Sequence, residues 1–133
     1  MNSIEEIRAT IATTLKSIND TYHTAVPVMW PNFTTVDLEN LSGPFISIEL
    51  SLAKDIDLFG CGQTETLTRG EILISYLRKS GDGLTGAAAY TDTLLNQICF
   101  KKLSGVTYQG LKVLSVSPYP GIVGQMNVVS FMV

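Results

Sequence analysis

Near the start of the chain apolar residues return every three or four positions, at Ile4, Ile7, Ile11, Leu15 and Ile18, with Glu5, Arg8 and Lys16 off that stripe. That spacing predicts an amphipathic helix. Ser3 and Glu6 form the S-x-x-E box that opens one, and the pattern fades near Asn19 and Asp20. Val26 to Trp30, crowded by Pro27 and Pro31, reads as a short edge strand or extended connector. In "PFISIELSL" the period drops to two: Ile46, Ile48, Leu50 and Leu52 point one way, Ser47, Glu49 and Ser51 the other. This predicts an antiparallel strand with one dry and one wet face. "AKDIDLFGCGQTE" reads as a loop with an apolar centre of Ile56, Leu58 and Phe59, followed by a strand from about Thr66 to Lys79.

A second helix is predicted in "SGDGLTGAAAYTDTLLNQICFKK", buried along Leu84, Ala87, Ala88, Thr91, Leu94, Leu95 and Ile98. Lys101 and Lys102 suit the negative end of its dipole. From Val113 to Val133 the chain has no Asp, Glu, Lys, Arg or His. An uncharged run of this kind is an aggregation hazard unless its backbone is paired. With Pro118, Pro120, Gly121 and Gly124 near its middle, it reads as two strands, about Leu111 to Ser117 and Gln125 to Val133, around a turn. The expected fold is α+β: a mainly antiparallel sheet with two helices packed on one face, in the order α-β-β-β-α-β-β. At 133 residues a single domain spanning 1–133 is expected.

Composition adds one hint. Charged residues make up 16% and apolar residues 45%, leaving less charge than a free monomer usually carries outside. Part of the surface is therefore expected to be covered by partners. A net charge of −3 gives no basic footprint for gripping nucleic acid. The acidic, amphipathic opening reads against a signal peptide, and the broken C-terminal run against a membrane helix.

Three patterns could carry chemistry. Gly81, Gly83 and Gly86 match G-x-G-x-x-G between a strand and a helix. A dinucleotide site needs an acid some 20 residues on, and no Asp or Glu follows Asp92. Asp82 would also stand where the pyrophosphate must lie, so a glycine-rich turn capped by Asp82 or Thr85 is the better reading. Cys61 between two glycines, with the lone His23 as base, lacks any oxyanion motif and reads as a loop thiol beside a solvated histidine. One His and two unpaired Cys, Cys61 and Cys99, make no metal ligand set, and they suit a reducing compartment. No catalytic, cofactor-binding or metal residue is expected. Trp30 reads as a lid on the core in preference to a partner hot spot. An exposed Ile-Leu-Phe loop favours docking.

Several stretches together resemble the tail terminator, or tail-completion, proteins of long-tailed bacteriophages of the siphovirus type. They are the opening helix "IEEIRATIATTLKSI", "VPVMWPN" leading to "GPFISIELSL", "GDGLTGAAAYTDTLLNQI", and the ending "LSVSPYPGIVGQMNVVSFMV". The resemblance spans nearly the whole chain. It implies a structural virion protein without enzymatic activity or cofactor. Such a protein forms a homo-oligomeric ring, typically hexameric, that caps the tail tube, ends its polymerisation and takes part in head–tail joining. The implied partners are further copies of itself, the tail tube protein and a head-completion or neck protein. DNA passes through the lumen without sequence-specific binding, and no membrane is involved. The implied location is the virion tail or neck, and the bacterial host cytoplasm during assembly.

Within that resemblance Asp55, Ile56, Asp57, Leu58 and Phe59 are expected at the interface with the tube or the next subunit. Ser47, Glu49 and Ser51 are expected to face the lumen, and Asn127, Val129 and Phe131 to lie on a strand shared between subunits. The "FGCGQ" stretch departs from the family pattern and leaves the loop's partner open. Another neck connector or minor tail protein is the alternative of the same class. A small cytoplasmic nucleotide-binding enzyme using the Gly81–Gly86 bend is the alternative of a different class.

Overall fold

A computed structural model describes residues 3–30, 43–59, 63–79 and 85–133, with the backbone alone at 53–59, 63–67, 118 and 119. The elements run α1 (Ile4–Tyr22), β1 (Val28–Met29), β2 (Phe45–Phe59), β3 (Gln63–Lys79), α2 (Thr85–Gln97), β4 (Lys102–Leu103), β5 (Val106–Tyr119) and β6 (Ile122–Met132). The fold is α+β, as the periodicities predict, with one extra two-residue strand at β4. The sheet has six strands in the order β1-β2-β3-β6-β5-β4. It is mixed, because β1 runs parallel to β2 while every other pair is antiparallel.

Ser3 caps α1 by accepting the Glu6 N–H at 3.1 Å, which satisfies one of the four amide donors a helix start leaves free. The helix buries Ile7, Ile11 and Leu15, each worth roughly 1.5–3 kcal/mol once removed from water. These side chains join one cluster with Ala87, Tyr90, Leu94 and Ile98 of the α2 region, and with Ile46, Ile48, Ile72, Ile74, Val129 and Phe131 of the sheet. Both helices therefore cover the same sheet face. Trp30 packs against that cluster, half-buried, as a lid would.

Some details differ from the expected stripes. Ile4 is exposed, and Asn19 takes the next buried position of α1. On α2 Ala88 and Leu95 are exposed, Tyr90 is fully buried, and Leu84 lies outside the described residues. At the β5–β6 turn Gly121 has φ +75°, a left-handed backbone that glycine adopts without strain. The strands flanking that turn are longer than the sequence pattern predicts.

The largest departure concerns the segment read as a loop. Residues 53–59 continue β2 and pair without a register break with β3, from Phe45↔Leu77 to Phe59↔Gln63. The apolar "DIDLF" is strand backbone.

Candidate functional site: the open sheet face, the β2–β3 arm and the strand edges

The face of the sheet opposite the helices is open among the described residues. Cross-strand partners share a face, so the register draws its rows. One row is Ser47, Ser75, Met126 and Leu114; the next is Glu49, Leu73, Val128 and Lys112; a third holds Ser51, Glu71 and Ser130. Glu49 and Ser51 are exposed and Ser47 is half-buried. At one end of this face Phe45, Leu77 and Ile122 form a small separate cluster with Met29 and Val116. The sequence places Ser47, Glu49 and Ser51 correctly on the wet side of β2; the other strands add an aliphatic band beside them.

Beyond this sheet β2 and β3 continue as a pair. The last β3–β6 partners are Arg69 and Met132, and the Val133 N–H donates to the Thr68 carbonyl at 2.7 Å. Past that point 54–59 and 63–67 pair only with each other among the described residues. At ~3.3 Å per residue this arm reaches about 20 Å beyond the sheet. It starts near Gly70, where a Cβ would collide with the carbonyl oxygen of Ser51, so glycine permits close strand contact at the root. Asp55, Ile56, Asp57, Leu58 and Phe59 all lie on the arm, where the structure describes their backbone.

Asn127, Val129 and Phe131 prove to be placed differently from expectation. They lie on β6, which is hydrogen-bonded to β3 on one side and β5 on the other, and all three are buried. A strand whose two edges are already paired offers no ladder to another subunit. The open edges belong to other strands. β1 covers β2 only at Ile46 and Ser47, and β4 covers β5 only at Val106 and Thr107. Among the described residues this leaves β2 unpaired on its outer side from Ile48 to Phe59, and β5 from Gln109 to Tyr119. Val113 and Leu114, in the middle of the β5 edge, are 44% and 38% exposed.

The titratable groups of the helix side form a packing cluster. His23, at the C-terminal cap of α1, sits 2.9 Å from the Thr93 hydroxyl through Nε2 and lies edge-on to Tyr90 at 4.9 Å. The Thr93 hydroxyl also lies 3.0 Å from the Ala89 carbonyl oxygen, a second partner within its reach. Burial lowers the His23 pKa. His23 is thus half-buried and hydrogen-bonded, where the sequence suggests a solvated residue.

Tyr90 donates to Asn19 Oδ1 at 2.7 Å, and burial pushes its phenol pKa up. Cys99 is buried and free, its thiol pKa raised by that burial. Cys61, Gly81, Asp82 and Gly83 lie outside the described residues. Thr85 and Gly86 are the first residues of α2, and a Cβ on Gly86 would stand 2.6 Å from the Tyr76 hydroxyl. Gly86 is therefore explained by helix–sheet proximity.

An open groove of about 660 Å³ runs along α1, lined by Thr10, Thr13, Thr14 and Ser17 with Gln97 and Leu103. Its three threonine hydroxyls each donate to the carbonyl one turn earlier in the helix, and none of its lining residues is ionisable. No group of three or more His, Cys, Asp or Glu that could hold a metal occurs among the described residues. No described helix is long and apolar enough to cross a membrane.

No family profile and no curated protein matches the chain. One solved structure of similar fold superposes with a TM-score of 0.72 at 16% identity, over 99% of this chain and 96% of the other. At that identity the likeness establishes the fold alone.

Proposed function

We propose that this chain is a structural subunit of a bacteriophage tail: a tail terminator that forms a ring, caps the tail tube and joins it to the head-completion proteins. The observation that carries the reading is the β2–β3 arm. A two-stranded ribbon extending past the sheet is marginal by itself, so it gains most by lying against a partner. Its sequence, "KDIDLF", combines apolar residues with two carboxylates. The arm carries Asp55 to Phe59 as the docking element for the tube or the next subunit. The open sheet face, with Ser47, Glu49, Ser51 and Glu71, lines the bore. Carboxylates and hydroxyls there let a polyanion pass without gripping it. The low charge content fits a subunit with neighbours on several sides.

The test is addition of the purified protein to tail tubes assembled without a terminator, followed by negative-stain microscopy. The expected result is one extra ring at a tube end and no further growth. Tubes that keep elongating with bare ends overturn the proposal.

A further inference from the structure

We propose that copies of this chain join edge to edge, the open edge of β5 in one copy pairing antiparallel with the open edge of β2 in the next. This rests on the reading of the chain as a ring subunit and specifies how the ring closes.

The geometry follows from two backbone hydrogen bonds. Ile46 N–H donates to the Pro27 carbonyl, on the outer side of β2, at 2.8 Å. N–H and C=O of successive strand residues alternate sides, and the β2–β3 register is unbroken. Ile48, Leu50, Leu52 and Lys54 therefore also turn their amides outward. On the opposite edge Tyr108 N–H donates outward to the Lys101 carbonyl at 2.8 Å. The irregularity between Tyr108 and Leu111 leaves Leu111 opposite Val129, in phase with Tyr108 opposite Phe131. Leu111, Val113 and Ser115 therefore turn their amides outward.

These two sets match in three ways. First, both belong to residues on the helix-covered face: Ile46 and Ile48 on β2, and Leu111, Val113 and Ser115 on β5 through their partners Val129, Asn127 and Gln125. Antiparallel partners share a face, so joining these edges keeps every copy's helices on one side and every open face on the other. Had the outward amides on one edge belonged to the opposite face, that junction would have inverted alternate copies. Second, β2, β3, β6 and β5 alternate in direction, so β5 runs antiparallel to β2. A copy shifted sideways without inversion thus presents the antiparallel ladder. Third, the β2 edge carries Glu49, Asp55 and Asp57 against Lys54, while the β5 edge from Gln109 to Tyr119 carries Lys112 as its sole charge. Pairing β5 with itself would leave the β2 edge open, whereas the head-to-tail contact uses both and propagates until it closes.

Proline substitutions test this, because proline removes an outward N–H without touching the inner ladder. Val113→Pro blocks the β5 edge; the double variant Leu50→Pro/Lys54→Pro blocks the β2 edge. Circular dichroism establishes that each is folded, and Lys54→Pro alone replaces the double variant if that one is not. Mass photometry and sedimentation at the highest soluble concentration then read the assembly state. The wild-type chain is expected to form a closed oligomer and each variant alone to stay monomeric. An equimolar mixture of the two should stop at a one-to-one dimer, since each contributes one intact edge. A monomeric wild type, a β2-edge variant that still dimerises, or a mixture that stays monomeric overturns the edge pairing. Edge-blocked variants that still cap tubes as rings remove this pairing and leave the tail reading standing. Edge-built rings that ignore tubes do the reverse.

Discussion

Replacing Tyr90 by Phe removes one oxygen from the interior and leaves the aromatic ring in place against His23 and Tyr76. That oxygen donates to Asn19 Oδ1 at 2.7 Å, and Asn19 is 2% exposed. Its Nδ2 is already buried without a partner. The variant would therefore enclose an amide with neither end of its side chain bonded. Leaving one buried acceptor unsatisfied costs roughly 1–3 kcal/mol. At about 2.1 cal/mol/K per residue, 133 residues give an unfolding entropy near 0.28 kcal/mol/K. A loss of about 2 kcal/mol then lowers Tm by about 7 °C.

The control is the double variant Tyr90→Phe/Asn19→Leu, which removes both polar partners. It should recover part of the loss and melt above Tyr90→Phe alone, because two apolar groups of similar size leave nothing unsatisfied. The assay is thermal unfolding followed by circular dichroism at neutral pH. A Tyr90→Phe protein that melts with the wild type refutes the reasoning, as does a double variant whose loss is the sum of the two single losses.

Three further outcomes are expected. Burial lowers the His23 pKa below its ordinary 6.5, so the unfolded chain binds that proton more readily and stability falls as pH drops through about 6.5. Since His23 is the sole histidine, Tm measured from about pH 8 to pH 5.5 should decline at the acid end, and His23→Gln should flatten the curve; an unchanged slope rejects the linkage. Replacing residues 55–67 by Asn-Gly closes Lys54 against Thr68 with a two-residue hairpin turn. Because 54–59 and 63–67 pair with no other strand among the described residues, Tm should hold within a few degrees while tube capping is lost; an unfolded product would make the arm structural. Val129→Asp places a carboxylate at a position with 0% exposure, which costs several kcal/mol. It should yield insoluble or unfolded protein, and a folded, soluble product would contradict the place of β6 in the core.

Much of the fold was legible in the sequence. The three-and-four spacing found the face of α1, and the alternation in "PFISIELSL" found both faces of β2. The β2–β3 arm was missed although its signal was present. Ile56 and Leu58 keep the same even-numbered period as Ile46 to Leu52, with Asp55 and Asp57 between them, and Lys54 breaks the run. Tyr90 was missed because its polar tip disguises a buried ring, which the Asn19 side chain makes tolerable. Strand order was not legible, since periodicity reports which face is dry and says nothing of which strands are neighbours. Hence the last strand could be recognised as paired, yet its place between β3 and β5 could not, nor which edges stay open.

The place of β6 also sets how the chain reaches its native form. β2 with β3 and β5 with β6 are hairpins that zip locally, but the two meet only along the β3–β6 seam, from Lys79↔Ile122 to Arg69↔Met132. Closing that seam brings together distant parts of the chain, so it carries a larger loop-closure entropy cost than either hairpin. The intervening α2 and β4 must collapse in step with it. Until the seam forms, each hairpin exposes a raw inner border that can capture the wrong strand. The outer borders differ in this respect: past the short β1 and β4 contacts they stay as bare in the finished fold, among the described residues, as in the separate hairpins.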